Sequence, residues 1–296
     1  MSAPPAAPRV AVVTDSTASL PADLVAAHDL TVVPLQVVVG ADAYDEGSPE
    51  ATPEAIAAAL RDFRPVSTSR PAPEVLREVY RRLAAQGADQ IVSVHLSGDM
   101  SGTFESAQVA ARDAAVPVVC VDSRQVGVAT GYAALAAARA VAAGATAEEA
   151  GAAARHQADA CASFFYVDTL EYLRRGGRIG AAAALLGGAL AVKPLLTIDA
   201  GVVSSLERVR TSGRALARLA ELAVAAAGEA KVDVCVAHLA SPERAATLAA
   251  SLADRLAEQL DGREVWCAEV GAVLGAHVGP GMIAVCVASR LMIDVD

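Results

Sequence analysis

Between Val94 and Ala111 the chain reads VHLSGDMSGTFESAQVAA, an apolar strand pattern that becomes helical through Ser97, Gly98, Ser101, Gly102 and Thr103. Small hydroxyls and glycines at a helix start suit an anion, because the first backbone N–H groups are unpaired there and the helix dipole is positive. A second cluster, Ser67, Thr68 and Ser69 in PVSTSRPAPE, also stands just ahead of a helical pattern. A third, GAVLGAHVGPG, sets His277 among Gly275, Gly279 and Gly281, where missing side chains permit close backbone approach. Arg174, Arg175 and Arg178 form a small basic group in YLRRGGRIG. Each has a plain structural role beside the chemical one. Thr68 and Ser101 suit helix caps, His277 a hydrogen-bonded core position, and the arginines a solvated helix end. His95, after an apolar strand, reads as structural, and Asp15-Ser16 as a strand–helix turn.

The sequence argues against a nucleotide phosphate as the anion. No GxxxxGK[ST] loop occurs, no lysine lies in the 94–111 segment, and the first strand runs into TDSTASLP without a GxGxxG. Hydrolytic chemistry is a second possibility, but GDMSG is not the G-x-S-x-G elbow, its serine being displaced by one residue. A carboxylate is the third. Hydroxyls and backbone N–H groups suffice for a single charge, at roughly 1.5–3 kcal/mol per hydrogen bond to it.

The elements that must position these residues alternate along the first half. RVAVVTDS, LTVVPLQVVVG, DQIVSVHL and VPVVCVDS read as strands, and PADLVAAHD, TPEAIAAALRDF, PEVLREVYRRLAAQ and the segment after Ser101 as helices. Strand after helix after strand implies a parallel sheet covered on both faces, with ligands beyond the carboxyl ends of the strands. A long alanine-rich helical region follows, from Gly127 to Ala160. From CASFFYVD onward a hairpin (KPLLTIDAGVVSSLERVRT, turning at 199–201) stands among helices GRALARLAELAVAAAGE and PERAATLAASLADRLAEQL and strands KVDVCVAHL, EVWCAEV and MIAVCVASR. A mixed sheet is expected there. The expected domains are a disordered terminus over 1–8, an N-terminal α/β domain over 9–160 and a C-terminal α/β domain over 161–296.

The 296 residues carry a formal net charge of −10, and no basic run suits a nucleic-acid face. The chain is 54% hydrophobic but only 3% aromatic, so much of its apolar content is alanine, a helix former that buries little. The apolar stretch IGAAAALLGGALAV (179–192) is shorter than the roughly 18 residues of a membrane span. It reads as a core helix or a lid. MSAPPAAPRV lacks the charged start and apolar core of a signal peptide, so the expected location is cytoplasmic. Five cysteines without CxxC spacing support neither disulfides nor zinc, and Cys120, Cys235 and Cys286 lie in apolar runs that suit buried thiols.

Taken together and in order, VVTDSTASLP, PLQVVVG, TSRP, LSGDMSGTFESA, DTLEYLRRGGRIG, VKPLL, RVRT and GAHVGPG resemble the DegV family, from about residue 9 to the C-terminus. Its better understood members are fatty-acid-binding subunits of bacterial fatty acid kinase. The resemblance implies two α/β domains with one long-chain acid, such as palmitate, stearate or oleate, buried between them. It implies that Thr68, Ser101 and His277 bind the carboxylate, Ser97 is counted with them as a carboxylate-binding candidate, and no cofactor is needed. If His277 is protonated against the head group, binding should weaken as pH rises through its ligand-bound pKa. The resemblance also implies that a separate ATP-dependent kinase subunit forms the acyl phosphate. Arg178, freed to project by Gly176-Gly177, and Arg174 then face that partner or, transiently, a membrane surface. Arg70 stands where the family often has glutamine, and Ser97-Gly98 where it often has a serine pair. The rival reading is a serine-dependent lipid esterase using Ser101 or Ser97 with His277.

Overall fold

A computed structural model describes residues 8–185 and 193–290. The chain begins with β1 (Val10–Asp15), helix α1 (Ala22–Ala27) and β2 (Leu30–Val33), and Asp15 accepts from the Thr17 amide to shape the turn between them. Pro34 then ends the run that the sequence suggested would continue, since it has no N–H for a ladder and restricts Val33. The chain restarts as β3 (Gln36–Val39) in a different sheet, followed by β4 (Asp42–Asp45), α2 (Pro53–Arg61) and β5 (Val66–Ser69). The strands β4-β3-β5 form a small antiparallel sheet that periodicity did not disclose. Its outer strands, DAYD and VSTS, are short and polar and resemble loop sequence.

α3 (Pro73–Ala85), β6 (Gln90–His95), α4 (Thr103–Ala111) and β7 (Val118–Asp122) complete a four-stranded parallel sheet of order β2-β1-β6-β7. The alanine-rich region is two helices, α5 (Val128–Ala142) and α6 (Ala147–Asp159). Gly144 adopts φ 94° between them, and Thr146 with Glu149 forms a capping box that starts the second. Helix α5 is buried almost all round because it touches strands of both larger sheets. Alanine and glycine allow that closeness; a Cβ on Gly131 would strike the Ala18 carbonyl and Leu20.

The second half runs β8 (Cys161–Tyr166), α7 (Glu171–Arg175), a 3-10 segment (Gly180–Leu185), β9 (Lys193–Asp199), β10 (Val202–Val209), α8 (Ser212–Ala227), β11 (Val232–His238), α9 (Pro242–Arg255), α10 (Ala257–Leu260), β12 (Trp266–Glu269), α11 (Ala272–Val278) and β13 (Ile283–Ser289). Its sheet has order β10-β9-β8-β13-β11-β12, parallel only between β11 and β12, which is the expected mixed sheet with its hairpin. Helices α8 and α9 cover one face, packing Leu219, Ala223, Leu248 and Leu252 on Val234, Val236 and Val285. The other face turns toward α5 and the parallel sheet.

Of the stretch expected as a 179–192 helix, residues 180–185 form the 3-10 segment, and the rest lies outside the described residues, as does most of the expected disordered terminus. All five cysteines are free; Cys235 and Cys286 are buried, whereas Cys120 is half-buried. Among the described residues no helix is long and apolar enough to cross a membrane, and no group of His, Cys, Asp or Glu could hold a metal ion.

Candidate functional site

The three sheets converge on a cavity of about 480 Å³, within the range of small-ligand sites. Its walls are mostly apolar: Leu35, Leu96, Met100, Phe165, Val273 and Met282 are among them. The polar lining is concentrated in residues from four segments. Thr68 comes from β5, Ser101 from the turn before α4, Arg178 from the loop after α7, and His277 from the last turn of α11.

Thr68 Oγ1 and His277 Nε2 are 2.9 Å apart, a hydrogen bond between a strand of the small sheet and a helix far along the chain. Burial first, and the nearby Arg178 guanidinium second, push the His277 pKa down to about 4. In the ligand-free protein the imidazole is therefore neutral at pH 7. Its Nδ1 is buried, has no partner among the described residues and faces Gly176, where any Cβ would collide with it. A hydrogen on Nδ1 would point into the Gly176 Cα–H, so the packing favours the proton on Nε2. His277 then donates to Thr68, and the Thr68 hydroxyl proton is free for another acceptor.

Ser101 Oγ is 2.9 Å from Thr103 Oγ1 and accepts from the Thr103 amide at 3.3 Å. It thus serves the start of α4 and lines the cavity at once. Arg178 does not stand free. Its Nε donates to the Met100 carbonyl at 3.0 Å and its Nη1 to the Gly176 carbonyl at 2.6 Å, which folds it into the cavity wall. Gly176 and Gly177 make this return possible, with Gly177 at φ 70°. Arg174 is exposed and pairs with Glu171, as does Arg175.

Ser97 is placed elsewhere. It is fully buried and donates to the Gly201 carbonyl at 2.7 Å, tying the parallel sheet to the β9–β10 turn rather than lining the cavity. This arrangement also removes the esterase geometry. His277 bonds Thr68, and among the described residues neither serine bonds a histidine and no carboxylate orients the ring. A Ser–His–Asp chain does exist, Asp15 to His95 Nδ1 at 3.0 Å and His95 Nε2 to Ser93 Oγ at 2.8 Å. All three residues are fully buried, Tyr80 donates to the same Ser93 oxygen, and none lines the cavity. It is a strut of the parallel sheet, as the reading of His95 held.

Two supporting contacts escaped the sequence. Glu46, just after β4, accepts from the Val273 amide at 2.7 Å and so caps the helix that carries His277. Arg70 donates to the Gly102 carbonyl at 3.1 Å and pairs with Glu105 at 2.6 Å, bracing the cavity wall beside Ser101. Glu46 lies in no motif, and the TSRP motif that contains Arg70 does not disclose its partners, because each residue acts across a gap of more than thirty residues that only folding closes.

The sheets and cavity define a class: mixed α/β proteins that enclose an apolar cavity with a polar end. A profile of uncharacterised proteins of the DegV family matches residues 9–290, and the chain belongs to that family. It is 54% identical to the DegV domain-containing protein SCO2569 of Streptomyces coelicolor, across 95% of this chain and 99% of that one. Two solved structures share the fold at 95–96% coverage of this chain and 100% of theirs. One is a DegV family protein from Thermus thermophilus described as binding fatty acid, with TM-score 0.87 and 33% identity. The other is DegV of Bacillus subtilis, described as a fatty acid binding protein, with TM-score 0.86 and 31% identity. A stearic acid-binding protein from Eubacterium ventriosum aligns at TM-score 0.83 and 25% identity, over 94% of this chain and 97% of its own.

Proposed function

We propose that this chain binds one long-chain fatty acid, its tail in the cavity and its carboxylate at Thr68, Ser101 and His277. The observation that carries this reading is the hydrogen-bonded Thr68–His277 pair in the polar lining of an otherwise apolar cavity. Neutral donors hold a carboxylate without burying a second full charge. The tail supplies most of the affinity: about fifteen methylenes at about 0.8 kcal/mol each give an upper bound near ~12 kcal/mol, before the costs of association. The fatty-acid-binding descriptions of the relatives support the same ligand class. In this reading residues 9–160 and 161–296 act as two domains that close over the tail.

The reading continues to a partner. The bound acid is presented to an ATP-dependent kinase subunit that forms the acyl phosphate, and this chain performs no catalysis alone. Arg178 meets the partner from the cavity wall and Arg174 from the surface, positive groups on a chain of net charge −10. A transient contact with an anionic membrane draws on the same charges. The protein works in the cytoplasm and uses no nucleic acid.

Delipidated protein should melt about 5 °C or more higher with a saturating acid of sixteen or eighteen carbons, since a ligand of the folded state stabilises it by about 2.7 kcal/mol at a hundredfold excess over Kd. Unchanged melting with every acid from twelve to twenty carbons contradicts the proposal.

A further inference from the structure

The cavity is bounded along the mixed sheet by strand register. Ala284 of β13 lies opposite Phe165 of β8 and Ala237 of β11, and Cys286 lies opposite Ser163 and Cys235. Directly opposed residues share a face and successive side chains alternate, so these two rows are neighbours on the face that looks into the cavity. Phe165, Ala284, Ser163 and Cys286 line it. The next row, Cys161 opposite Ala288, does not. The cavity therefore stops at Ser163 and Cys286.

The polar end lies at the opposite extreme. His277 precedes β13 by one turn, and Arg178 follows β8 after α7, so both stand where β8 ends and β13 begins. From Met282, which lines the cavity near His277, to Cys286 is four residues, roughly 13 Å along a strand. Val128, the first residue of α5, also lines the cavity and packs in the same apolar cluster as Cys286. One turn further along α5, buried Tyr132 stacks on Trp266 with ring centroids 5.5 Å apart. Fully buried Cys235 stands directly beside Cys286. The stop is thus small on its surface and firmly backed.

We propose that Cys286, with Ser163 and Val128, is the gauge that sets the longest acyl chain this protein accepts. The inference rests on the proposed fatty-acid reading and names the residues that select within that ligand class. A terminal methyl that reaches Cys286 meets a thiol with packed side chains behind it, and a longer chain must displace them or buckle. Cores resist that overpacking, so affinity rises with each carbon up to the stop and falls beyond it. A larger side chain at 286 moves the stop toward the head group, and a smaller one moves it away.

The test measures Kd for saturated acids from twelve to twenty carbons with delipidated unsubstituted protein, Cys286→Phe and Cys286→Ala. Cys286→Phe should shift the optimum shorter by about two carbons and weaken the twelve-carbon acid least, each methylene no longer accommodated weakening binding about fourfold. Cys286→Ala should shift the optimum longer, and it decides the matter alone if the phenylalanine variant does not fold. An unchanged optimum in Cys286→Ala, or equal weakening at every length in Cys286→Phe, overturns the gauge while leaving fatty-acid binding intact. Failure of the unsubstituted protein to bind any acid overturns both readings.

Discussion

Thr68 and His277 are 209 positions apart in the chain and 2.9 Å apart in space. With the imidazole neutral and Nδ1 pressed on Gly176, the pair offers a hydroxyl proton rather than a cation. Removing that donor leaves a bound carboxylate short of one bond, so Thr68→Val and Ser101→Ala should each weaken acid binding by about 1–3 kcal/mol, read by titration calorimetry. Unaltered affinity in both variants places the head group elsewhere. The neutral ring has a second consequence. Unfolded, a histidine titrates near 6.5, whereas folded His277 titrates at about 4. Between those values the unfolded chain takes up a proton that the folded chain refuses. Stability contributed by His277 is thus intact above 6.5 and lost as pH falls toward 4, by up to about 3 kcal/mol. Urea melts across this window should show a loss that is smaller in His277→Gln; parallel loss in both proteins contradicts the assignment. Acid affinity, for the same reason, should stay level from pH 7 to 9.

Helix α11 is the element on which the site depends. It has only seven residues and no side-chain cap of its own at Gly271, so the Glu46 carboxylate at the Val273 amide takes that place. Burial raises the Glu46 pKa, a cost only partly offset by the bonds it accepts. Glu46→Ala should lower unfolding stability by about 1–2 kcal/mol, the range of a lost helix cap, and weaken acid binding by loosening His277. Wild-type melting in that variant denies Glu46 the role. The same helix shows what was legible beforehand. GAHVGPG marked His277 through its glycines, and both large sheets followed from apolar periodicity. The Glu46 cap left no trace because it joins residues 227 positions apart. Arg178 was misplaced for a related reason: Gly176 and Gly177 announced a helix break, but a break does not say whether the next side chain turns outward or back. The small sheet was hidden because VSTS serves equally as a strand and as a cap.

At the scale of the whole molecule, two large sheets clasp an alanine-rich helix, and the space left between them and the small sheet is the cavity. The low aromatic content, 3% of the chain, fits this design: few bulky rings fill the seam, and small side chains let α5 lie against both sheets. Such a cavity is costly to leave empty, since its lining forgoes packing contacts. A protein that folds around a lipid tail should keep it through purification. Native mass spectrometry of the undenatured protein tests this most directly. The account predicts a dominant species heavier than the chain by the mass of one long-chain fatty acid, released as the free acid on denaturation. A bare chain as the main species, remaining bare after incubation with sixteen- and eighteen-carbon acids, contradicts it.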